Sequence, residues 1–331
     1  MTKQEFDVLT IGNAIVDVIA RVDEHFVAKE NLVKGSMNLI EEARAEELYA
    51  HMGPATETSG GSAGNTAAGV ASFGGRAAYF GKVRDDQLGG IFTHDMKTIG
   101  VHFATAKAKA GPATARSFIL VTPDGERTMN TYLGACVNLA PADVDPDVVA
   151  ASKVTYMEGY LYDKPEAKAA FREAAKIARA AGRLTAITLS DSFCVERHRA
   201  DFHDLIKSSI DIVFANESEI TSLYQTQNFD GAATAIARDC SLAVLTRSEH
   251  GSVVLQGSER IVVPAFPIAQ LVDASGAGDL FAAGFLFGHT RAKPLRQSAT
   301  LGALAASEVI SHIGPRPEIS LYQLAQKNGL I

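Results

Sequence analysis

Short, strongly apolar runs alternate with alanine-rich stretches along most of this chain of 331 residues. Each run has the length and composition of a buried strand, whereas intervening stretches such as Glu166–Ala181 and Ala232–Asp239 follow a helical pattern. The runs lie at Asp7–Ile11, Ala77–Val83, Val154–Met157, Leu184–Leu189, Ile212–Ala215 and Leu242–Thr246. This alternation predicts a three-layer α/β fold, in which a mostly parallel central sheet is covered by helices on both faces.

Two regions, about 14–40 and about 112–133, interrupt the alternation. In the second region, Thr114–Val121 and Thr128–Leu133 are joined by Pro123-Asp124-Gly125, a sequence typical of a β-hairpin turn. We therefore expect a single domain over residues 1–331, with a small β lid formed by these two regions.

The negative net charge of the chain limits which kinds of molecule it is expected to bind. Its net charge is −7 and it has no basic run, which argues against binding to nucleic acid or to an anionic membrane. No stretch approaches the ~20 apolar residues of a membrane span. The three cysteines, Cys136, Cys194 and Cys240, stand far apart, which fits a reducing compartment. We expect a cytoplasmic protein that acts on a small molecule, as a monomer or a homodimer.

The strongest chemical signal is the glycine turn within Asp273–Asp279. Small residues at Gly276, Ala277 and Gly278 leave backbone N–H groups bare, and the start of a helix leaves further amides unsatisfied, so together they can form an anion hole. Asp279, in the first helical turn, would accept the proton of an attacking hydroxyl. The alternative is a plain glycine turn in which Asp279 is a favourable charge at a helix N-terminus.

On these residues the chain resembles the ribokinase (PfkB) family of carbohydrate and nucleoside kinases, whose late signature reads D-T-x-G-A-G-D. Ala274 and Ser275 replace the commoner residues here and leave the anion hole and the base intact. The earlier family signature is matched by Gly60–Asn65, followed by Gly74 and Gly81. The resemblance covers nearly the whole chain, and it implies a ribokinase-like fold and ATP as the phosphoryl donor.

A third match, Asn216–Glu219 after a buried strand, is similar to the family's N-x-x-E motif. In the family this motif organises Mg²⁺ and the phosphates largely through water, which suits an ion that keeps most of its waters. The resemblance thus implies Glu219 as the residue beside the metal, although these residues alone could simply open an exposed helix. It also implies a monovalent cation such as K⁺ near Asp273. The implied ATP-binding residues are Asn216, Thr246, Ser248, Gly251, Gly276 and Gly278.

Two positions depart from the family pattern. Ser248 stands where T-x-G-x-x-G has a glycine, which affects the ATP side of the site. Arg84 replaces a glycine of G-x-V-G-x-D. Its guanidinium would either tighten a loop through a surface ion pair or lie near the substrate, and we expect the first.

The residues after the first strand, Gly12–Asp17, resemble the G-N-x-x-x-D of the adenosine kinase branch. By this resemblance Asp17 accepts hydrogen bonds from two vicinal ribose hydroxyls, which suits the two oxygens of a carboxylate. The alternative for Asp17 is a turn residue at a strand end. The implied substrate-binding residues are Asn13, Ile15, Asp17, Met37, Gly61, Ser62, Asn65, Met129, Thr131 and Tyr160.

Apolar or flat side chains at the expected lid positions favour an adenine over a free sugar, although each position also fits a lid core. These positions are Ile15, Met37, Leu39, Met129, Thr131, Leu133 and Tyr160. Arg127 would either reach a phosphate or pair with Glu126 or Asp124. Three functions stay open: an ATP-dependent kinase of a nucleoside, adenosine first, which would yield AMP and ADP; a kinase of a free sugar such as ribose, fructose or a keto-deoxy sugar acid; and a catalytically silent nucleoside-binding protein.

Overall fold

Nine strands form the main sheet of the structure, a computed structural model that describes residues 6–331. They are β1 (Phe6–Ile11), β5 (Ala77–Phe80), β6 (His102–Phe103), β9 (Ser152–Glu158), β10 (Leu184–Thr188), β11 (Ile212–Asn216), β12 (Leu242–Thr246), β13 (Ser252–Gln256) and β14 (Glu259–Val263). Their order across the sheet is β14-β13-β12-β11-β10-β9-β1-β5-β6. Neighbours from β6 to β12 pair in parallel, whereas β13 and β14 add an antiparallel edge.

The parallel strands are buried on both faces, and alternate side chains therefore enter two different cores. In β12, Ala243 and Leu245 pack into one core, whereas Leu242 and Val244 pack into the other. Strands buried in this way appear in the sequence as continuous apolar runs, which is why they were predictable. One face is covered by α5 (Pro146–Ala151), α6 (Pro165–Ala180), α7 (Ser192–Ser209), α8 (Glu217–Leu223) and α9 (Phe229–Asp239). The other is covered by α3 (Ser62–Ser72), α4 (Gln87–Thr98), α10 (Ala277–His289) and α11 (Leu295–Val309), and α12 (Leu321–Lys327) packs beyond them.

Helices α3 and α10 pack unusually closely because α3 has a glycine at their contact. A Cβ atom at Gly69 would lie 2.6 Å from the Cβ of Ala283 and 2.7 Å from Cδ1 of Leu280. Ser62, Asn65 and Gly69 recur on one face of α3 at helical spacing. The close approach at Gly69 therefore brings the first turn of α3 against the first turn of α10.

Five strands form a second, smaller sheet in the order β3-β8-β7-β2-β4, which we call the lid sheet. Its strands are β2 (Ile15–Arg21), β3 (Met37–Leu39), β4 (Thr56–Ser59), β7 (Ala115–Val121) and β8 (Arg127–Tyr132). Two helices accompany it, α1 (Glu24–Lys29) and α2 (Glu42–His51). Val16 and Val18 share a core with Leu48 of α2, so one face of the sheet is covered by its own helix. The other face is free to line the site.

The predicted α/β class and the mostly parallel main sheet are confirmed, with local corrections. The run Ala77–Val83 is a strand only to Phe80. Strand β4 was not predicted, because its short polar sequence Thr56–Ser59 carries no apolar alternation. The antiparallel pair β13 and β14 was also missed. Among residues 6–331, no helix combines the length and apolar character needed to cross a membrane.

Candidate active site

Polar residues gather where the parallel strands of the main sheet end. Asn13 follows β1, Glu158 ends β9, Asn216 ends β11 and Thr246 ends β12. In open α/β sheets, ligands bind beyond these carboxyl ends. The lid sheet begins at the same edge, because β2 starts only a few residues after β1.

Asp279 is held by the first turn of α3. Ser62 Oγ donates to Asp279 Oδ1 at 2.6 Å, and Asn65 Nδ2 donates to Oδ2 at 3.0 Å. Thr66 Oγ1 also donates to the backbone carbonyl of Asp279 at 3.2 Å. Each carboxylate oxygen therefore has one fixed donor and keeps a lone pair for an incoming hydroxyl.

Burial raises the pKa of Asp279, and the bonds from Ser62 and Asn65 together with the charge of Arg316 offset part of that rise. Arg316 lies on the loop after α11, and its Nε donates to Asn65 Oδ1 at 3.2 Å. A carboxylate in this setting can both accept a hydrogen bond from an alcohol and take its proton.

The glycine turn before Asp279 leaves the start of α10 open. Gly276 is the N-cap residue in the left-handed region, with φ of 76°, and no side chain caps the helix. A Cβ at Gly276 would lie 2.7 Å from the carbonyl oxygen of Pro315, whereas one at Gly278 would have no neighbour within 4 Å. The N–H of Ala277 donates to the carbonyl oxygen of Ala274 at 3.3 Å, so the amide of Gly278, in the first helical turn and beside open space, is the one placed to bind an anion.

Arg127 of the lid sheet reaches the glycine turn. Its Nη1 pairs with Asp273 Oδ2 and donates to Ser275 Oγ at 3.0 Å, while its Nε and Nη2 are buried without a protein partner. Of the two alternatives for Arg127, the pairing with Glu126 or Asp124 is wrong, because its partner is Asp273, and the contact with a phosphate stays a prediction. Asp124 is paired instead with Lys34.

Asp273 already accepts three hydrogen bonds from the protein. Besides Arg127, it accepts the N–H of Ser275 at 3.0 Å and that of Gly314 at 2.9 Å. A guanidinium already neutralises this carboxylate, so we assign no step to a monovalent cation, and such an ion near Asp273 stays a prediction.

Asp17 is buried against a glycine pair. Its carboxylate would be 2.3 Å from a Cβ at Gly60, and Gly61 has φ of 82° with its missing Cβ 2.2 Å from the carbonyl oxygen of Asn13. Burial raises the pKa of Asp17 to about 7, although the charges of Arg316 and Arg127 lower it. Only glycines allow the backbone of this turn to approach the carboxylate so closely.

Glu158, which was not predicted, ties the acceptor segments together. Its carboxylate accepts Asn13 Nδ2 and the N–H of Ala63, both at 2.8 Å, and the N–H of Asn13 at 3.3 Å. Burial raises the pKa of Glu158 to about 7, against the effect of these donors. The side-chain nitrogen of Asn13 therefore bonds to Glu158, whereas its side-chain oxygen, Oδ1, is buried without a hydrogen-bond partner.

Asp17 lies on one face of the lid sheet, in a row of residues that crosses four strands. The register places Asp17, Ser117, Thr131 and Leu39 side by side across β2, β7, β8 and β3, and residues paired in this way share a face. The next row on the same face contains Ile19, Ile119, Met129 and Met37. The face is largely apolar and open, since Met37 is 50% and Leu39 63% exposed.

Two predicted lid residues differ from expectation. Tyr160 lies in a short 3-10 helix after β9 of the main sheet, not in the lid, and its N–H donates to Ser190 Oγ at 3.1 Å. Thr131 is not apolar contact surface alone, because its hydroxyl is 2.8 Å from that of Ser117. Ile15, Met37 and Met129 do lie on the face that contains Asp17.

At the end of β11, where ATP is expected to bind, Asn216 and Glu219 form a capping box at the start of α8. Asn216 Oδ1 accepts the N–H of Glu219 at 2.9 Å, and Glu219 accepts the N–H of Asn216 at 3.0 Å and its Nδ2 at 2.6 Å. Burial raises the pKa of Glu219 to about 7, and the negative charges of Asp191 and Asp279 contribute to the rise. The pair thus has a structural role, and its role beside a metal stays a prediction.

The segment after β12 explains why a glycine is usual at position 248. Ser248 has φ of 49°, a left-handed conformation that costs a non-glycine residue roughly 1–2 kcal/mol. Gly251 has φ of 81°, and a Cβ atom added to it would lie only 2.1 Å from the carbonyl oxygen of Val263. Ser248 therefore adopts the left-handed conformation that favours glycine, and the neighbouring Arg247 Nε bonds to Glu217 at 3.0 Å.

Arg84 tightens a loop, as expected, but through hydrogen bonds and not through an ion pair. Its guanidinium donates to the carbonyl of Gly111, and its backbone N–H donates to Thr114 Oγ1 at 3.0 Å. No contact of Arg84 with a residue of the site is found in the described part of the chain.

Arg316 and Glu158 are the site residues that sequence reasoning missed. Arg316 stands in Gly314-Pro315-Arg316-Pro317, where two prolines restrict the backbone on either side of a cation. Glu158 ends a buried strand and is followed by Gly159. Both signals are visible in the sequence once the site is known.

The residues described contain no group of three or more His, Cys, Asp or Glu side chains that could hold a metal ion. Mg²⁺ does not need such a group, because it keeps several waters and is bound through one or two carboxylates and the substrate phosphates. Glu219, a buried carboxylate at the nucleotide side, fits this kind of site.

Comparison with known proteins gives consistent matches. A family model for pfkB family carbohydrate kinases matches residues 6–320. An adenosine kinase from Sinorhizobium meliloti is 62% identical, with a TM-score of 0.90, over 98% of this chain and 99% of that one. A "probable sugar kinase" from Rhizobium etli is 57% identical, with a TM-score of 0.92, over 99% and 100%. A 5-dehydro-2-deoxygluconokinase from Geobacillus kaustophilus is 27% identical over 77% of this chain and 80% of its own.

Proposed function

The chain belongs to the pfkB family of carbohydrate kinases and is an ATP-dependent kinase, and from this premise we propose that it phosphorylates the 5′-hydroxyl of a nucleoside, adenosine first. The observation that carries the proposal is the lid face. Asp17 shares one face of the lid sheet with apolar positions that include Ile15, Met129 and Met37. A carboxylate for the ribose diol next to an apolar surface for the base matches the two halves of a nucleoside. The 62% identical adenosine kinase supports the same acceptor.

The residues of this chain have distinct parts in the proposed reaction. Asp17 accepts hydrogen bonds from the vicinal hydroxyls and thereby orients the ribose. Asp279 accepts the proton of the 5′-hydroxyl while the hydroxyl oxygen bonds to the γ-phosphorus of ATP. The bond from the γ-phosphorus to the bridging oxygen breaks, and ADP leaves with that oxygen. The glycine turn Gly276–Gly278 binds the charge on the transferred group, with the amide of Gly278 as donor, since the N–H of Ala277 already bonds to the carbonyl of Ala274.

The metal part of the proposal rests on Glu219. When bound, Mg²⁺ neutralises charge on the nucleotide phosphates. Glu219 would hold it through coordinated water, since both of its oxygens already accept bonds from Asn216. Arg127, whose Nη1 bonds to Ser275 of the glycine turn, has two guanidinium nitrogens without a protein partner that would donate to phosphate oxygens.

The acceptor is tested by measuring kcat/KM for adenosine, ribose and fructose under one set of conditions. Burying a purine face at ~25 cal/mol per Å² is worth a few kcal/mol, and part of this energy can be used to align the hydroxyl. Adenosine should therefore exceed ribose in kcat as well as in affinity. If a free sugar has the higher kcat/KM, the nucleoside proposal is wrong.

Met129→Asp sharpens this test, because a charge is costly to bury against a base but less so beside a sugar. We expect a loss for adenosine and little change for any residual sugar activity. Val262→Asp, an exposed position on β14 that is 52% exposed, is the control for an added charge.

A free-sugar kinase is the second candidate, and one observation favours it. The hydroxyl pair of Ser117 and Thr131, 2.8 Å apart, lies in the row of Asp17 and would suit sugar hydroxyls. The 27% identical 5-dehydro-2-deoxygluconokinase is a relative of this kind. A catalytically silent protein is disfavoured by the two donors that orient Asp279, and absence of ADP release with all acceptors would revive it.

A further inference from the structure

We propose that Arg316 is a positioning residue that orients Asn65 and, through it, the base Asp279. This inference rests on the proposed role of Asp279. It begins from a chain of contacts in which Arg316 Nε donates to Asn65 Oδ1 at 3.2 Å and Asn65 Nδ2 donates to Asp279 Oδ2 at 3.0 Å.

The direction of these two hydrogen bonds follows from the chemistry of arginine. A guanidinium has donors and no acceptor, whereas an amide side chain has one end of each kind. Because Arg316 can only donate, the oxygen of Asn65 must face it and the NH₂ group must face Asp279. Without Arg316 the amide could turn over, and its oxygen would then meet the carboxylate of Asp279 without a hydrogen bond.

The position of Arg316 is fixed from several elements. Its loop contacts the glycine turn, since Gly314 donates to Asp273 at 2.9 Å. The guanidinium lies beside Gly64 of α3, where an added Cβ would be in ordinary contact with Nη2 at 3.5 Å. Nη2 also lies 3.8 Å from Sδ of Met96 on α4. The guanidinium is thus held between α3, α4 and α10.

The charges around Arg316 are mostly negative. It interacts with Asp17 of β2, Asp95 of α4, Asp279 of α10 and the hydroxyl of Tyr79 on β5. Asp279 in turn raises the pKa of Glu158, Glu219 and Asp17. The charge of Arg316 lowers the pKa of both Asp17 and Asp279. Removing it should therefore raise these pKa values and move the acid limb of the pH–rate profile to higher pH.

The experiment compares wild type, Arg316→Lys, Arg316→Ala and Arg291→Ala by kcat, KM and pH profile. We expect Arg316→Ala to lower kcat by roughly 10–100-fold, the cost of disturbing a supporting residue, with the KM for ATP little changed and the acid limb shifted upward. Arg316→Lys keeps the charge, so its limb should stay close to that of wild type while kcat falls, because lysine lacks the planar fork. Arg291 follows the far end of α10 and bonds to Asp7 at 3.1 Å, so its removal tests loss of a structural arginine alone.

Added guanidinium, at concentrations well below those that denature the protein, should restore part of the kcat of Arg316→Ala but not of Arg291→Ala. If Arg316→Ala keeps wild-type kcat, or loses kcat with an unmoved acid limb and no rescue, the inference is wrong. If Arg316→Ala does not fold, the unchanged limb expected for Arg316→Lys still tests it. Wild type inactive on every acceptor would instead defeat the proposed function.

Discussion

On the acceptor side, the carboxylate of Asp279 is held by residues 217 and 214 positions away in sequence, whereas on the nucleotide side Glu219 is held by Asn216, three positions away. The first arrangement depends on the packing of α3 against α10, and the second on the start of one helix. Long-range packing fixes a geometry that no single segment can form alone. A local capping box forms with its helix, so its presence does not by itself indicate chemistry.

The comparison implies that substitutions on the acceptor side reduce the chemical step more than substitutions on the nucleotide side. Asp279→Asn should give the largest effect, a fall in kcat of roughly 10²–10⁴-fold, because a positioned general base contributes about that much. The fold and ATP binding should be retained, as checked by thermal denaturation and nucleotide titration.

Asp230→Asn is the matched control, since Asp230 is also an acid in the first turn of a helix, α9. Near wild-type kcat in Asp279→Asn would return Asp279 to the role of a helix-terminal charge and would remove the contrast between the two sides.

Asp17→Asn should have the next largest effect, a fall in kcat/KM for the acceptor of roughly 10–100-fold, as hydrogen bonds to charged groups contribute about 1.5–3 kcal/mol. In wild type, acceptor binding should weaken as pH falls through about 7, because burial raises the pKa of Asp17 to that value and the ionised form accepts the diol. The variant should lose this part of the pH dependence.

Stability provides an independent check on Asp17. Its folded pKa of about 7 lies above the ordinary value of 3.8, so the native state holds the proton longer and stability falls as pH rises between these values. Asp17→Asn should therefore raise Tm relative to wild type at pH 8 and much less at pH 4. An equal shift at both pH values would contradict the assignment.

The smallest effect is expected for Glu219→Gln. Glutamine keeps one of the two acceptor oxygens that bind Asn216, so the helix should remain folded with one capping bond fewer while the negative charge is lost. We expect roughly a 10-fold higher Mg²⁺ requirement and little change in acceptor KM, which a Mg²⁺ titration of kcat measures. Glu217→Gln, in the same helical turn and bonded to Arg247, is the control. An unchanged Mg²⁺ curve would leave Glu219 with its capping role alone.

The sequence was informative wherever the cause of a structure is local. Continuous apolar runs predicted the parallel strands because both of their faces are buried, and the glycine turn with Asp279 was identifiable because glycines there meet a steric demand, as Gly276 does against Pro315. The partners of Asp279 on α3 were named as substrate residues, but their bonds to Asp279 depend on the distance between two helices. No periodicity reports that distance.

The residues missed by sequence reasoning share a physical cause. Arg316 and Glu158 act on groups 251 and 145 positions away, and each was a single charged residue among many in the sequence. Arg127 was identified as a candidate, yet its partner Asp273 could not be chosen over nearer acids. Local proximity favoured Asp124, whereas the fold brings β8 to the glycine turn.

The missing side chain of Gly69 has a consequence for how this enzyme can evolve. Its contact with Ala283 and Leu280 sets the separation of α3 and α10, and with it the fit of Ser62 and Asn65 to Asp279. A mutational library that spares every residue touching substrate, but varies position 69, would still lose catalysts. Second-site suppressors of Gly69→Ala should arise on α10, with Ala283→Gly foremost, because removal of a side chain from either helix restores the space between them.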